Sequence, residues 1–93
     1  MCVLNMQAAH GGNANIDILR EDAYRIIGMA YNSVCEITDG NNDPWQVSRE
    51  GDELSIIERS PPGSNPDRCR HYDGNFQTIV DDLNNQIVEA DGL

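Results

Sequence analysis

Three groups of residues have types and spacings that chemistry uses. The first is Asp39-Gly40-Asn41-Asn42-Asp43-Pro44, with Glu50 beyond it. Oxygen-bearing side chains from Asp39 through Asn41 and Asp43 to Glu50 have the spacing of an EF-hand calcium loop. Such a loop turns sharply at its sixth position, where glycine supplies the conformation. Pro44 stands there, and proline holds φ near about −65°. The residues that follow read as a strand and not as an exiting helix. The expectation is an Asn/Asp turn without a metal.

The second group is Cys69 and His71. On a strand the two side chains share a face. A thiol beside an imidazole can act as a nucleophile, and the pair can form half of a zinc site. Cys2, His10 and Cys35 are too dispersed to complete that half. A buried structural cysteine and an ordinary histidine are expected instead. The chain shows no phosphate-cradling glycine loop, no Ser/His/Asp set and no nucleophile elbow. No cofactor is implied, and a non-catalytic protein is expected.

The third group is acidic. Beyond Arg70 there is no base, while Asp73, Asp81, Asp82, Glu89 and Asp91 are all carboxylates. On a helix Asp81, Asp82 and Glu89 fall away from the apolar stripe that contains Phe76, Ile79, Leu83 and Ile87. Unpaired like charges repel one another, so a surface helix ordinarily mixes in arginine or lysine. A carboxylate face left that way suits a basic partner. The alternative is a solvated helix in an acidic protein. Glu50, Asp52 and Glu53 add a second acidic set at a turn. Arg49, Arg59, Arg68 and Arg70 lie among Glu50, Asp52, Glu53, Glu58 and Asp67. Their segment is nearly neutral, so these arginines are expected to brace local carboxylates and not to bind phosphate.

The totals point the same way. Of 93 residues, 16 are acids and 6 are bases, for a net charge of −10. Every base is arginine. Such a field repels nucleic acid and anionic membranes, and it attracts basic protein surfaces. Solubility and adaptation to a salty cytoplasm are the competing explanations of the charge. The length fits one domain with a modest core, which leaves little room for a deep catalytic pocket. Three widely spaced cysteines and the leaderless stretch MCVLNMQAAHGG predict free thiols in a reducing cytoplasm. No segment approaches the length of an apolar membrane span.

These groups need elements to hold them. Leu19, Ala23, Ile26, Ile27, Ala30, Val34 and Ile37 have helical spacing, which predicts one amphipathic helix capped by Asn15 or Asp17. Glu21 and Arg25 are expected to pair along it, and Gly28 to lie within it. Trp45 and Val47, then Leu54 and Ile56, alternate with polar residues around Gly51-Asp52. That pattern predicts a hairpin with Trp45 on its buried face. Residues 60–67 are too rich in proline for regular structure. A third short strand is a candidate at 69–72, and a second helix is predicted over 75–90 with Asp73 or Asn75 as its cap and Phe76, Ile79, Val80, Leu83, Ile87 and Val88 on one side. Residues 1–10 fit a short strand or a helical turn. The expected fold is α+β: a small antiparallel sheet, made of the hairpin and a candidate third strand, with two amphipathic helices packed on one face.

In size, charge and compactness the chain resembles small acidic phage-encoded antagonists of host machinery, anti-CRISPR proteins and DNA mimics among them. No motif carries the resemblance and no residue roles transfer from it. The functional expectation is a stoichiometric binding protein, an inhibitor or nucleic-acid mimic docking on a basic surface such as that of a nucleic-acid-handling protein. Its candidate partner-binding residues are Asp81, Asp82, Glu89 and Asp91, with Glu50, Asp52 and Glu53. The alternatives are an assembly subunit that forms a homo-oligomer, and a small thiol- or metal-dependent enzyme using Cys69 and His71.

Overall fold

The structure is a computed structural model and describes residues 2–7, 14–59 and 70–91. Strand β1 spans Val3–Met6 and pairs antiparallel with β2, Ile16–Leu19. Helix α1, Arg20–Ile27, follows at once. Four strands then form an antiparallel meander in chain order: β3 (Val34–Thr38), β4 (Pro44–Glu50), β5 (Glu53–Glu58) and β6 (His71–Asn75). Helix α2, Phe76–Asp91, closes the described chain.

This corrects the expected fold. The described residues form two antiparallel sheets, of two and four strands, where one hairpin with a candidate third strand was expected. The long helix predicted from Leu19 to Ile37 is three elements. Its first turn is preceded by a strand, because Ile16 and Ile18 are buried while Asp17 is exposed. Asn15 and Asp17 therefore cap nothing; the N-cap is Leu19, without a side-chain bond. Gly28 is the C-cap, not an interior residue, and its N–H bonds Tyr24 O at 3.1 Å. Asn32 then takes a left-handed φ of 58°, which asparagine tolerates better than most residues. Val34-Cys35-Glu36-Ile37-Thr38 is rich in β-branched side chains and pairs with β4. The Glu21–Arg25 pair is also corrected: Arg25 bonds Asp22 instead, at 3.1 Å.

The remaining elements sit close to their expected places. Gly51 turns the β4–β5 hairpin at φ 58°. Trp45, Val47, Leu54 and Ile56 are all 0% exposed. Asn75 caps α2, accepting the N–H of Thr78 at 3.0 Å. Phe76, Ile79, Val80, Leu83 and Ile87 then turn one face of α2 inward, whereas Val88, expected on the same side, is exposed. Gly74 lets that helix approach closely, since a β-carbon there would lie 3.0 Å from Ile79 Cδ1.

The main chains of the two sheets are joined beside Asp39 and Gly40. Ile18 bridges Asp39, and the N–H of Gly40 donates to Asp17 O at 2.8 Å. Alongside, Asp22 of α1 accepts the N–H of Thr38 at 3.2 Å, so the helix lies against the edge of β3. Among the described residues no helix is long and apolar enough to cross a membrane.

An ion pair joins Glu58, at the end of β5, to Arg70, just before β6. Arg70 donates to Glu58 through Nε at 2.9 Å, and the N–H of Glu58 donates to Arg70 O at 2.9 Å. The hydrogen bond from Arg70 holds the Glu58 carboxyl below its usual range, against a smaller upward push from burial. A carboxyl with a depressed folded pKa stabilises the protein above its unfolded value. That contribution is lost as pH falls through the folded value. Thermal melts taken downward through the carboxylate range are therefore expected to show a loss of stability that flattens in Glu58→Gln. Equal low-pH slopes in the two proteins would show that the clamp does not contribute.

Candidate functional site

The arginines decide where net charge remains. Arg20 pairs with Asp91, Arg25 with Asp22, Arg59 with Glu36, and Arg70 with Glu58 and Asp43. Arg49 serves carbonyls and rings: it donates to Met29 O at 2.6 Å and to Gly51 O at 2.8 Å. Its guanidinium lies 3.5 Å from the centroid of the Phe76 ring and 4.4 Å from that of Tyr31. The expected bracing of local carboxylates is met by Arg70 on Glu58; Arg59 reaches Glu36 on β3 instead, Arg49 pairs with no described carboxylate, and Arg68 lies outside the described residues.

Glu50, Asp52 and Glu53 are all exposed at the β4–β5 turn, and Glu50 stands directly opposite Glu53. Like charges in that position repel. The turn lies against the start of α2, where the N–H of Phe76 donates to Asp52 O at 2.7 Å. Asp73, on β6 opposite Ser55, is exposed near the same end. Along α2, Asp81 and Asp82 come about 8 Å beyond Phe76, and Glu89 about 20 Å beyond it. All three are exposed.

The seven candidate residues therefore do not form one cluster. The fold brings the hairpin tip to the first turn of α2 and strings Asp81, Asp82 and Glu89 along the helix. Asp91 is set apart by its ion pair with Arg20. Asp81 and Asp82 accept hydrogen bonds from Gln77 and Gln86, each at 2.9 Å, which orient the carboxylates without neutralising them. Among the described residues no arginine pairs with Glu50, Asp52, Glu53, Asp81, Asp82 or Glu89.

Asp39, the head of the calcium-like loop, is buried and engaged. Its Oδ1 accepts the N–H groups of Asn41 at 2.8 Å and Asp43 at 2.9 Å. Its Oδ2 accepts the indole N–H of Trp45 at 2.8 Å. The carboxylate folds the loop around itself as an Asx turn and anchors the core tryptophan. Cys2 and Cys35 are free thiols, each half-buried. Burial pushes the Cys35 thiol up, so it is a poor nucleophile at neutral pH. His71 is exposed on β6, while Cys69 lies outside the described residues.

No protein-family model, curated protein or solved structure matches this chain.

One arrangement has no counterpart among the sequence expectations. Gln86 accepts the N–H of Asn5 at 2.8 Å and donates to Asn5 O at 2.5 Å, joining α2 to the outer edge of β1. Tyr72 of β6 donates its hydroxyl to Gln7 O at the end of the same strand. A groove of about 510 Å³ lies between them. Gln86 sits at the boundary of the apolar stripe of α2. Only the helix wheel marks it, and the wheel gives no sign that a strand edge lies opposite.

Proposed function

We propose that this chain is a non-catalytic, cytoplasmic protein-binding module that docks on a basic protein surface as a stoichiometric inhibitor or nucleic-acid mimic. The observation that supports this reading is the division of charge. Every arginine among the described residues is engaged elsewhere in the fold, and none pairs with the carboxylates of the hairpin tip and outer α2. A strip of unneutralised carboxylates on a rigid helix meets a groove that otherwise holds phosphates, and its field steers encounter. Two structural costs follow from leaving it unneutralised. Glu50 and Glu53 repel across the turn, and the acids on α2 raise the self-repulsion of the folded chain.

The test replaces Asp81, Asp82 and Glu89 by Asn, Asn and Gln, which keeps shape and hydrogen bonding while removing three charges. Folding stability is expected to stay level or rise slightly. Salt-sensitive capture from the native host supplies the partner. Its affinity for the variant is expected to fall about tenfold or more, about 1.4 kcal/mol, mainly through slower association and with a weaker salt dependence. Equal association rates for the two proteins at low and high salt would remove α2 as the working surface. The hairpin tip at Glu50, Asp52 and Glu53 would then be the next surface to neutralise.

A further inference from the structure

Strand β1 has one edge bonded to β2 and one edge turned outward. The N–H of Arg20 donates to Cys2 O at 3.1 Å, and with the register this makes Cys2, Leu4 and Met6 the residues bonded to β2. Val3 and Asn5 alternate with them and direct their main-chain groups away. At Asn5 that edge is met by the side-chain amide of Gln86, which both accepts and donates. A primary amide placed this way occupies the position of a peptide group in a neighbouring strand. At Val3, 47% exposed, no described residue pairs with the main chain.

The adjoining groove is lined by Asn5, Thr78, Asp82 and Gln86, with the almost fully buried Tyr72 and Ile79 behind them. Its volume falls in the range of ligand-binding clefts, about 300–1,000 Å³. It sets a strand edge beside a carboxylate, a pairing that suits an extended peptide with a cationic side chain. Asp82 forms no ion pair with any described residue, and its one hydrogen-bonded neighbour is Gln86 itself.

We propose that this groove takes an extended segment of the partner protein by strand addition to the outer edge of β1. The segment's main chain replaces the Gln86 amide on Asn5 and continues to Val3. An arginine or lysine of the segment meets Asp82. Once released from Asn5, the Gln86 amide turns toward solvent, and Asp82 stays at the groove to receive the cation. The inference takes the partner's positive charge from the function proposed above, whereas the strand edge and the groove stand without it.

The experiment titrates the ¹⁵N-labelled protein with a blocked hexapeptide that alternates valine and arginine. A second peptide of the same sequence is N-methylated at alternate residues, and a third has serine in place of arginine. N-methylation keeps the charge and removes the donors that strand pairing needs. The expected result is saturable shifts of the Val3 and Asn5 amides and of the Gln86 side-chain amide with the first peptide. The second peptide is expected to leave them unmoved. In Asp82→Asn, which keeps an acceptor for Gln86, binding of the first peptide is expected to weaken roughly threefold to tenfold, the worth of one half-buried charge pair.

If the methylated peptide binds as well as the parent, with shifts spread over Asp81 and Glu89, strand addition is overturned and the acidic-surface reading survives. If the serine peptide moves the β1 resonances as strongly as the arginine peptide, the groove survives and the charge reading falls. If no peptide moves Val3, Asn5 or Gln86, the groove is not a peptide site.

Discussion

Trp45→Ala is expected to lower folding stability by about 3–5 kcal/mol, as for deletion of a large buried aromatic side chain. Trp45 is 0% exposed and central to the inward face of the four-stranded sheet. Val47 follows it on that face, and Ile37 of β3 lies directly opposite. The substitution also removes the indole N–H that donates to Asp39 at 2.8 Å. A domain of this length has about 5–14 kcal/mol to lose in all, so the variant is expected to be largely unfolded well below the wild-type denaturation midpoint. Trp45→Phe keeps most of the apolar contact and loses the donor, and is expected to cost about 1–2 kcal/mol. Because the chain contains a single tryptophan, urea curves should be followed by circular dichroism and not by fluorescence. A midpoint unchanged in Trp45→Ala would mean that the inward face does not carry the fold.

Asp39→Ala is expected to cost about 2–4 kcal/mol, the second-largest effect. Three N–H groups lose their acceptor, and they lose it unequally. Those of Asn41 and Asp43 are in a surface turn, where water can replace the carboxylate. The indole of Trp45 is buried, and leaving a buried donor unsatisfied costs about 1–3 kcal/mol by itself. Asp39→Asn keeps one carbonyl oxygen and is expected to fall between wild type and Asp39→Ala. The cycle built from Asp39→Ala and Trp45→Phe should show a coupling of about 1 kcal/mol or more, because both changes break the same bond. Additive losses would show that Asp39 stabilises the turn alone.

The sequence marked the hairpin well because its signals were local. Trp45, Val47, Leu54 and Ile56 alternate, a Gly-Asp turn separates them, and the structure buries all four. Helix α2 was legible for the same reason, with five inward residues in one stripe and Asn75 at its cap. The stretch from Leu19 to Ile37 misled because helical spacing continues through it by coincidence. Strand β3 is held by pairing with β4, a tertiary interaction that propensity within the segment does not record. Residues 3–6 and 16–19 are too short to show a period, and their pairing is visible only once both are in place.

The candidate site was legible in its charges and not in its geometry. Counting bases after Arg70 located the acids of α2, but it placed Asp91 among the free ones, where Arg20 in fact reaches it from α1. The Asn5–Gln86 contact joins residues 81 positions apart, and nothing local to either residue announces it.

That separation bears on how the chain is made. Strand β1 leaves the ribosome before the other described elements, yet the residue that covers its outer edge is 81 positions behind it. At translation speeds of about 5–20 residues per second, the edge waits on the order of 4–16 seconds for Gln86. The hydroxyl of Tyr72, 65 positions behind Gln7, arrives only slightly earlier. Through that interval the meander from β3 to β6 can close on neighbours already synthesised, while the first strand has β2 on one side and open main chain on the other. The nascent protein therefore exposes an unpaired strand edge until α2 has been made, and a chain that stalls before α2 keeps it exposed.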